Sequence, residues 1–433
     1  EEEVAHVVHH AQLRHPRHVE LLDLVQIESG KVRKQAFEEV LDCAIASRHY
    51  AAKAEDYLRT TKHLGAIPVL SQARTLRHPK GVVGIVSPWN YPLSLAITDA
   101  IPALLAGNAV VLRPDQQGSL SALAGIGLLH EAGLPEGVFQ VVLGPGRSTG
   151  QAVIDGGDYV CFTGSTPTGR RVAESASKRL VGYSLELGGK NPNVIFADAD
   201  LPAAIDNALT AIFLDSGQVC SAGARLLVEE SIHDEVVDEL VRRAGQIRLG
   251  GPFDDDAETG PLISDEHRDK VHAYVQAAVA EGAVLRTGGE IPDGELASGS
   301  YYPPTILDGC RTEMRCVQDE SFGPVLTVET FSGSTREEAE DAAVALANDT
   351  IYGLTNYVQT QDGARRNRLA RQLKAGMIET NGVGRGRGSA FGTGGMVTKL
   401  QSAEMATTTG IPVLLTSAPN VRAALEGKDV GTW

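Results

Sequence analysis

The sequence predicts an α/β fold: a doubly wound, parallel-sheet domain of dinucleotide-binding type, followed by a second α/β domain. Three observations carry this reading. From residue 81 the chain runs through short apolar stretches, Gly81-Val-Val-Gly-Ile-Val-Ser, Asn108-Ala-Val-Val-Leu-Arg, Gln140-Val-Val-Leu-Gly and Tyr159-Val-Cys-Phe-Thr-Gly. Continuous apolar runs of this length are what strands buried on both faces require. Helix-like segments such as Ser119–Ala132 and Gly169–Lys178 follow them, and strands alternating with helices at this spacing give a doubly wound sheet. A second alternation begins near Asn193-Val-Ile-Phe. It continues through Ala224-Arg-Leu-Leu-Val-Glu and Val325-Leu-Thr-Val, with amphipathic helices at Asp234–Ile247 and His267–Glu281.

Before the first strand, residues 1–63 read as helices. Leu21, Leu22, Leu24 and Val25 form one apolar face, and Phe37, Val40, Leu41 and Ala44 another, at three- and four-residue steps. The chain has no initiator Met and opens inside a helical pattern, which reads as a clipped N-terminus. The domain boundary is expected near Leu187-Gly-Gly-Lys, dividing the chain into residues 1–187, 188–385 and a distinct tail, 386–433.

A length of 433 residues allows two or three domains with sizeable cores. The net charge of -16 would be repelled by a duplex and argues against nonspecific nucleic-acid binding. No apolar run approaches membrane-spanning length, so no membrane partner is expected. The five cysteines, Cys43, Cys161, Cys220, Cys310 and Cys316, form no CxxC pair or Cys/His cluster. A disulfide framework or a metal site is therefore not expected, and the usage suits a reducing cytoplasm.

Four short segments carry candidate chemistry. Cys220 follows Gly217 and Gln218, a tight-turn signature; exposed N–H groups at such a turn can lower a thiol's pKa and donate to an oxyanion. Taken alone, such a thiol is more often an inert buried residue. Glu186, in Ser184-Leu-Glu-Leu-Gly-Gly-Lys-Asn-Pro192, reads either as a solvated strand-end charge or as a partly buried base for water. Asn90, in Ser87-Pro-Trp-Asn-Tyr-Pro92, reads as a turn residue or as a rigid amide donor to an oxyanion. Phe162-Thr-Gly-Ser-Thr-Pro-Thr-Gly169 is a strand, a glycine turn and a helix start, where free N–H groups can meet a pyrophosphate.

Together with Glu320-Ser-Phe-Gly-Pro324, these segments resemble the aldehyde dehydrogenase superfamily over roughly residues 1–385, in that family's order and near its spacings. The resemblance implies that Cys220 is the nucleophile, Glu186 the general base and Asn90 an oxyanion donor. It implies that Trp89, Gly164, Ser165 and Leu187 line the cofactor and that Glu320 holds the nicotinamide ribose. The partner implied is a small-molecule aldehyde, and the assembly expected of the family is a homo-oligomer.

At the end of the second strand, Arg113 and Gln116, with Asp115 between them in sequence, stand where the family binds the adenosine ribose. Many members carry a Glu at the Gln116 position, which would repel a 2′-phosphate. A neutral Gln beside Arg113 favours NADP, with NAD as the alternative. The Arg-Pro-Asp-Gln-Gln segment most resembles NADP-type succinate-semialdehyde dehydrogenases. Thr98 and Leu214, however, occupy positions matching substrate-carboxylate arginines in some of those enzymes. Asp99 stands where many relatives place lysine, and Asp215 where they place asparagine.

After Asn381 the family pattern breaks. Gly388-Ser-Ala-Phe-Gly-Thr-Gly-Gly-Met-Val-Thr-Lys-Leu400 resembles the phosphate loop near the end of glutamate 5-kinase domains, which would assign Gly392, Gly394, Gly395 and Lys399 to ATP phosphates. The other reading is a divergent loop of the dehydrogenase. A short kinase-like segment implies a fusion or a misassembled frame, with loss of the closing loop and of the oligomerisation strand. The alternatives to an active dehydrogenase are thus a remnant of a kinase–reductase of proline synthesis or a noncatalytic cofactor-binding fragment.

Overall fold

The computed structural model describes residues 17–382 apart from residue 68. The kinase-like reading of 386–433 lies outside these residues, as does the start of the chain. Helices His18–Ser29 and Arg33–Leu58 come first. The helical expectation for residues 1–63 fails at its end, because Thr61–Leu64 (β1) pairs antiparallel with Gln72–Thr75 (β2), Thr61 opposite Thr75. The helix closes at Leu58, where Arg59 turns extended (φ −52, ψ 139). Both strands of this hairpin are almost wholly exposed, so no apolar alternation marked them.

The apolar runs form a five-stranded sheet from Val82–Ser87 (β3), Ala109–Pro114 (β4), Phe139–Val141 (β5), Tyr159–Gly164 (β6) and Gly182–Leu187 (β7). Its order is β5-β4-β3-β6-β7 and every pairing is parallel. On one face Leu21, Leu22, Val25, Ala36 and Val40 of the N-terminal helices pack with Val83, Ile85 and Leu112. On the other, Val153, Ile154 and Val172 pack with Val86, Val160 and Phe162. Burial on both faces is what a doubly wound sheet requires.

The second alternation builds a seven-stranded sheet from Pro192–Ile195 (β8), Arg225–Glu229 (β9), Val284–Thr287 (β10), Thr305–Asp308 (β11), Val325–Phe331 (β12), Thr355–Gln359 (β13) and Met377–Thr380 (β14). Its order is β10-β11-β12-β9-β8-β13-β14, with only β10 antiparallel to its neighbour. Successive residues face opposite layers: Ile195, Leu226 and Val228 pack on helix Leu201–Phe213, while Val194, Leu227 and Val358 pack with Ala339, Ala343 and Leu369. The chain passes from one sheet to the other at Gly188–Asn191, between β7 and β8.

Candidate active site

Parallel strands point their C-terminal ends the same way, so motifs that follow such strands collect along one edge. Trp89 and Asn90 follow β3, Arg113 and Pro114 close β4, Gly164 closes β6, and Glu186 and Leu187 close β7. The register sets Thr163 beside Glu186 and Gly164 beside Leu187. Ser165 then caps helix Thr166–Arg179, whose first-turn Pro167 removes a donor that the helix cannot use.

The thiol loop is shaped by three consecutive residues in the left-handed region: Asp215 (φ 50), Ser216 (φ 54) and Gly217 (φ 72). Two of these are not glycine, so the surroundings must hold them there. Ser216 Oγ donates to the Gly260 carbonyl at 2.6 Å, and Ser216 N–H donates to Thr259 Oγ1 at 3.1 Å. Gln218 Oε1 accepts from Ile263 N–H at 2.9 Å. At Gly217 any Cβ would collide with the backbone of Gly323 and Pro324. Two distant motifs, Gly-Gln-Val-Cys and Glu-Ser-Phe-Gly-Pro, are therefore in van der Waals contact.

The other motifs close on the same place. Asn90 is 5% exposed, and its amide Nδ2 donates to the Gln218 carbonyl at 2.9 Å, two residues before Cys220. An amide carries two N–H bonds, and only one is needed for that contact. Trp89 packs edge-on against Phe322, with ring centroids 5.5 Å apart. Gly188 admits the Glu320 carboxylate where a Cβ would block it, and Glu320 Oε1 accepts from Gly189 N–H at 3.0 Å. Burial pushes the Glu320 carboxyl up to about 7.

Ser165 and Glu320 line one cavity of about 550 Å³, together with Thr166, Lys270, Tyr274 and Tyr352. A helix N-terminus at one wall and a carboxylate at the other suit a pyrophosphate and a ribose hydroxyl respectively. The described residues hold no group of three or more His, Cys, Asp or Glu able to bind a metal.

Arg113 is already engaged within the protein. It is buried, and its guanidinium donates to the Gly144 carbonyl (3.2 and 3.1 Å) and to Asp115 Oδ2 (3.2 Å). Gln116 is exposed. Asp215 is 4% exposed and accepts from the Tyr91 hydroxyl, with Lys31 Nζ 3.5 Å from its Oδ2, so it serves a buried network. Asp99 has its carboxyl pushed up to about 6, by burial first and by the charge of Glu186 second.

Sequence reading missed the residues that brace these loops. Lys31 Nζ sits 3.0 Å from Glu39 Oε2 and 3.4 Å from the centre of the Tyr91 ring. Glu39 Oε1 accepts from the N–H groups of Leu93 and Ser94, at 2.7 and 3.0 Å. One buried lysine thus ties the N-terminal helices to both the Asn90 loop and the Cys220 loop. Asn191 was missed as well. Its Nδ2 donates to the carbonyls of Cys220 (2.8 Å) and Ala222 (2.9 Å), and its Oδ1 accepts from Thr355 N–H (3.0 Å).

A model of the aldehyde dehydrogenase family matches residues 2–400, a span that runs on through Gly392, Gly394, Gly395 and Lys399. A betaine aldehyde dehydrogenase of Bacillus subtilis is 44% identical over 366 residues, covering 84% of this chain and 73% of the relative. A provisionally named succinate-semialdehyde dehydrogenase of the NADP(+) type, from Mycolicibacterium smegmatis, is 41% identical over 374 residues, covering 86% and 70%. The crystal structure of betaine aldehyde dehydrogenase from Staphylococcus aureus in complex with NAD+ superposes with a TM-score of 0.82 at 36% identity. That superposition covers 88% of this chain and 74% of that one. With the strand-end motifs in register and the fold shared, the chain belongs to the aldehyde dehydrogenase family and oxidises an aldehyde with NAD(P)+.

Proposed function

We propose that Cys220 is the nucleophile, Asn90 the oxyanion donor and Glu186 the general base of this oxidation. The observation that carries the reading is the 2.9 Å bond from Asn90 to the Gln218 carbonyl, which brings a buried amide donor onto the thiol loop. The Cys220 sulfur adds to the aldehyde carbon, and the new oxyanion is met by the Asn90 amide and the Cys220 N–H. When bound, the nicotinamide supplies the hydride acceptor that no side chain can provide. Collapse of the adduct leaves a thioester on Cys220. Glu186 takes a proton from water, which attacks that thioester and releases the carboxylic acid.

Glu320 would hold the nicotinamide ribose, and Trp89, Gly164, Ser165 and Leu187 would line the rest of the dinucleotide. Arg113 and neutral Gln116 favour NADP at the adenosine ribose, while the acid of Asp115 against Arg113 favours NAD. Succinic semialdehyde is the substrate suggested by the second relative. The partly buried acid Asp99, and Thr98 and Leu214 where carboxylate-binding arginines would stand, favour a neutral or cationic aldehyde instead. Cytoplasmic residence suits the free thiols, and a homo-oligomer suits the family.

Mass spectrometry of Glu186→Gln mixed with aldehyde and NADP+ tests the assignment. An acyl group accumulating on Cys220 is expected. Aldehyde-dependent NADPH formation that survives Cys220→Ala would overturn it.

A further inference from the structure

Two cysteines that the chemistry above does not use are brought together by the fold. The Sγ atoms of Cys310 and Cys316 lie 4.0 Å apart, both side chains nearly wholly buried. Cys310 sits in the turn after β11, and its thiol faces the Leu307 carbonyl at 3.4 Å. Cys316 lies in the one-turn helix Arg315–Gln318, which leads directly into Asp319 and Glu320. Cys316 also lines the cavity shared by Ser165 and Glu320, so the pair borders the cleft from which a small oxidant would come. Lys190 is fully buried within electrostatic reach of both sulfurs, its Nζ 3.2 Å from the Tyr274 hydroxyl. Its hydrogen bond with Cys310 and, after that, the Lys190 charge hold the Cys316 thiol below its ordinary range, against the opposing effect of burial. Cys310 is shifted the other way, first by its hydrogen bond with Cys316 and then by burial. Cys316, on the cavity side, is placed to meet an oxidant first, with Cys310 behind it to resolve.

We propose that Cys310 and Cys316 are an oxidisable dithiol whose disulfide form weakens dinucleotide binding. With hydrogen peroxide as oxidant, the Cys316 thiolate attacks one peroxide oxygen and breaks the O–O bond. The departing hydroxide takes up a proton to become water, and Cys316 becomes a sulfenic acid. Cys310 sulfur then attacks the Cys316 sulfur, forming the S–S bond and expelling hydroxide, which is protonated by the proton Cys310 gives up. Two thiols and one peroxide give one disulfide and two waters; the sulfurs lose two electrons and the peroxide oxygens gain them.

A disulfide needs its sulfurs about 2 Å apart, so closure must draw Cys316 and its short helix toward Cys310. That helix leads through Asp319 into Glu320, whose carboxylate is fixed on Gly189 N–H, next to Lys190. Closure therefore pulls on the carboxylate that faces the cavity. The effect on binding rests on the reading of Glu320 as a cofactor ligand; formation of the bond does not.

The test uses the Cys220→Ala chain, so that oxidation of the nucleophile cannot be mistaken for the effect. Arg311 and Arg315 lie between the two cysteines, so trypsin releases them on separate peptides unless they are bonded. After peroxide, a linked Cys310–Cys316 peptide pair is expected. NADP+ binding by titration calorimetry should weaken about tenfold, recover with a dithiol reductant, and stay unchanged by peroxide in Cys310→Ala, which lies outside the cavity lining. Absence of the linked pair, under conditions that oxidise Cys220 in the unaltered chain, overturns the proposal. A linked pair with undiminished binding overturns its regulatory half. A reduced chain that does not bind the nucleotide at all, yet forms the linked pair, refutes the cofactor reading instead.

Discussion

The thiol end and the base end of this site are built in opposite ways. Cys220 ends a loop whose Asp215, Ser216, Gly217 and Gln218 are all buried, held by hydrogen bonds with two distant segments, Asn90–Tyr91 and residues 259–263. Glu186 lies exposed on β7, a strand that among the described residues pairs only with β6 and is mostly exposed along its length. The proposed nucleophile and its proposed oxyanion donor are preorganised by packing, which keeps reacting geometry fixed at no further entropic cost. The proposed base stands where its carboxylate can reach water. A residue that must meet a bulky adduct only in the second half of the reaction is well served by that access.

Changes at the catalytic atoms should separate chemistry from folding most clearly. Cys220→Ala should lower aldehyde oxidation by on the order of 10⁴-fold or more, because no other step can form the thioester. Its thermal unfolding should be nearly that of the parent chain, since only a half-buried sulfur is lost. Steady-state kinetics and a melting curve check both statements. Glu186→Gln should cost roughly 10²–10⁴-fold in turnover. On an exposed strand it should shift stability by less than about 0.5 kcal/mol. If Glu186→Gln melts the protein, the contrast between a locked thiol loop and an open base is wrong.

Lys31→Met addresses the locked side from outside the chemistry. Removing one partner of a buried ion pair leaves the remaining charge stranded, which typically costs about 3–5 kcal/mol. Here two acids, Glu39 and Asp215, would be left with less compensation. Denaturant titration should show that loss. The double change Lys31→Met with Asp215→Asn should recover part of it, because the stranded charge at Asp215 is then absent. No loss in the single variant would mean that the loop is held by its hydrogen bonds alone.

What the sequence made legible and what it hid follow the same division. Asn90, Gly164, Glu186, Cys220 and Glu320 each sit in a contiguous stretch, and it is the order and spacing of those stretches together that suggest the roles proposed for them. The alternation of apolar runs with helices foretold both sheets. Lys31 and Glu39 carry no local signal, and Asn191 is hidden inside the Glu186 motif, because their partners lie on segments far away in the chain and only the packed fold brings them close. Arg113 was legible as a cation at a strand end, but not as one already engaged by Asp115 and Gly144. The β1–β2 hairpin escaped because an exposed polar strand has no periodicity to read.

Glu320 offers a smaller effect with a definite sign. Burial raises its carboxyl from 4.5 to about 7, while the charge of nearby Lys190 acts in the opposite direction. Between those values the folded chain keeps a proton that the unfolded chain has released. This contribution to stability is complete below 4.5 and is lost as pH rises through 7. Binding should run the other way, since the ionised carboxylate accepts a ribose hydroxyl more strongly than the neutral acid. The KM for dinucleotide should fall several-fold from pH 6 to pH 8, and Glu320→Gln should flatten that profile. A profile unchanged by the substitution would take Glu320 out of the cofactor site.

The adenosine end gives the finest test, because the proposal there assigns one task to a locked residue and an open one. Arg113 is buried and paired with Asp115, whereas Gln116 is exposed. A 2′-phosphate arriving at Arg113 must meet the Asp115 carboxylate too, so the acid opposes the cation that would attract it. Asp115→Asn removes the repulsion and keeps a side-chain oxygen that can accept from Gln117 N–H, as Asp115 Oδ1 does at 3.2 Å. For a pair whose acid is partly exposed the gain should be about 1 kcal/mol or less. That corresponds to a rise of up to about fivefold in the NADP-to-NAD ratio of kcat/KM. NAD kinetics should change little, because its ribose brings no charge to Asp115. If both cofactors respond equally, Asp115 acts by holding the β4 end in shape, and the locked side of the molecule extends to the adenosine site.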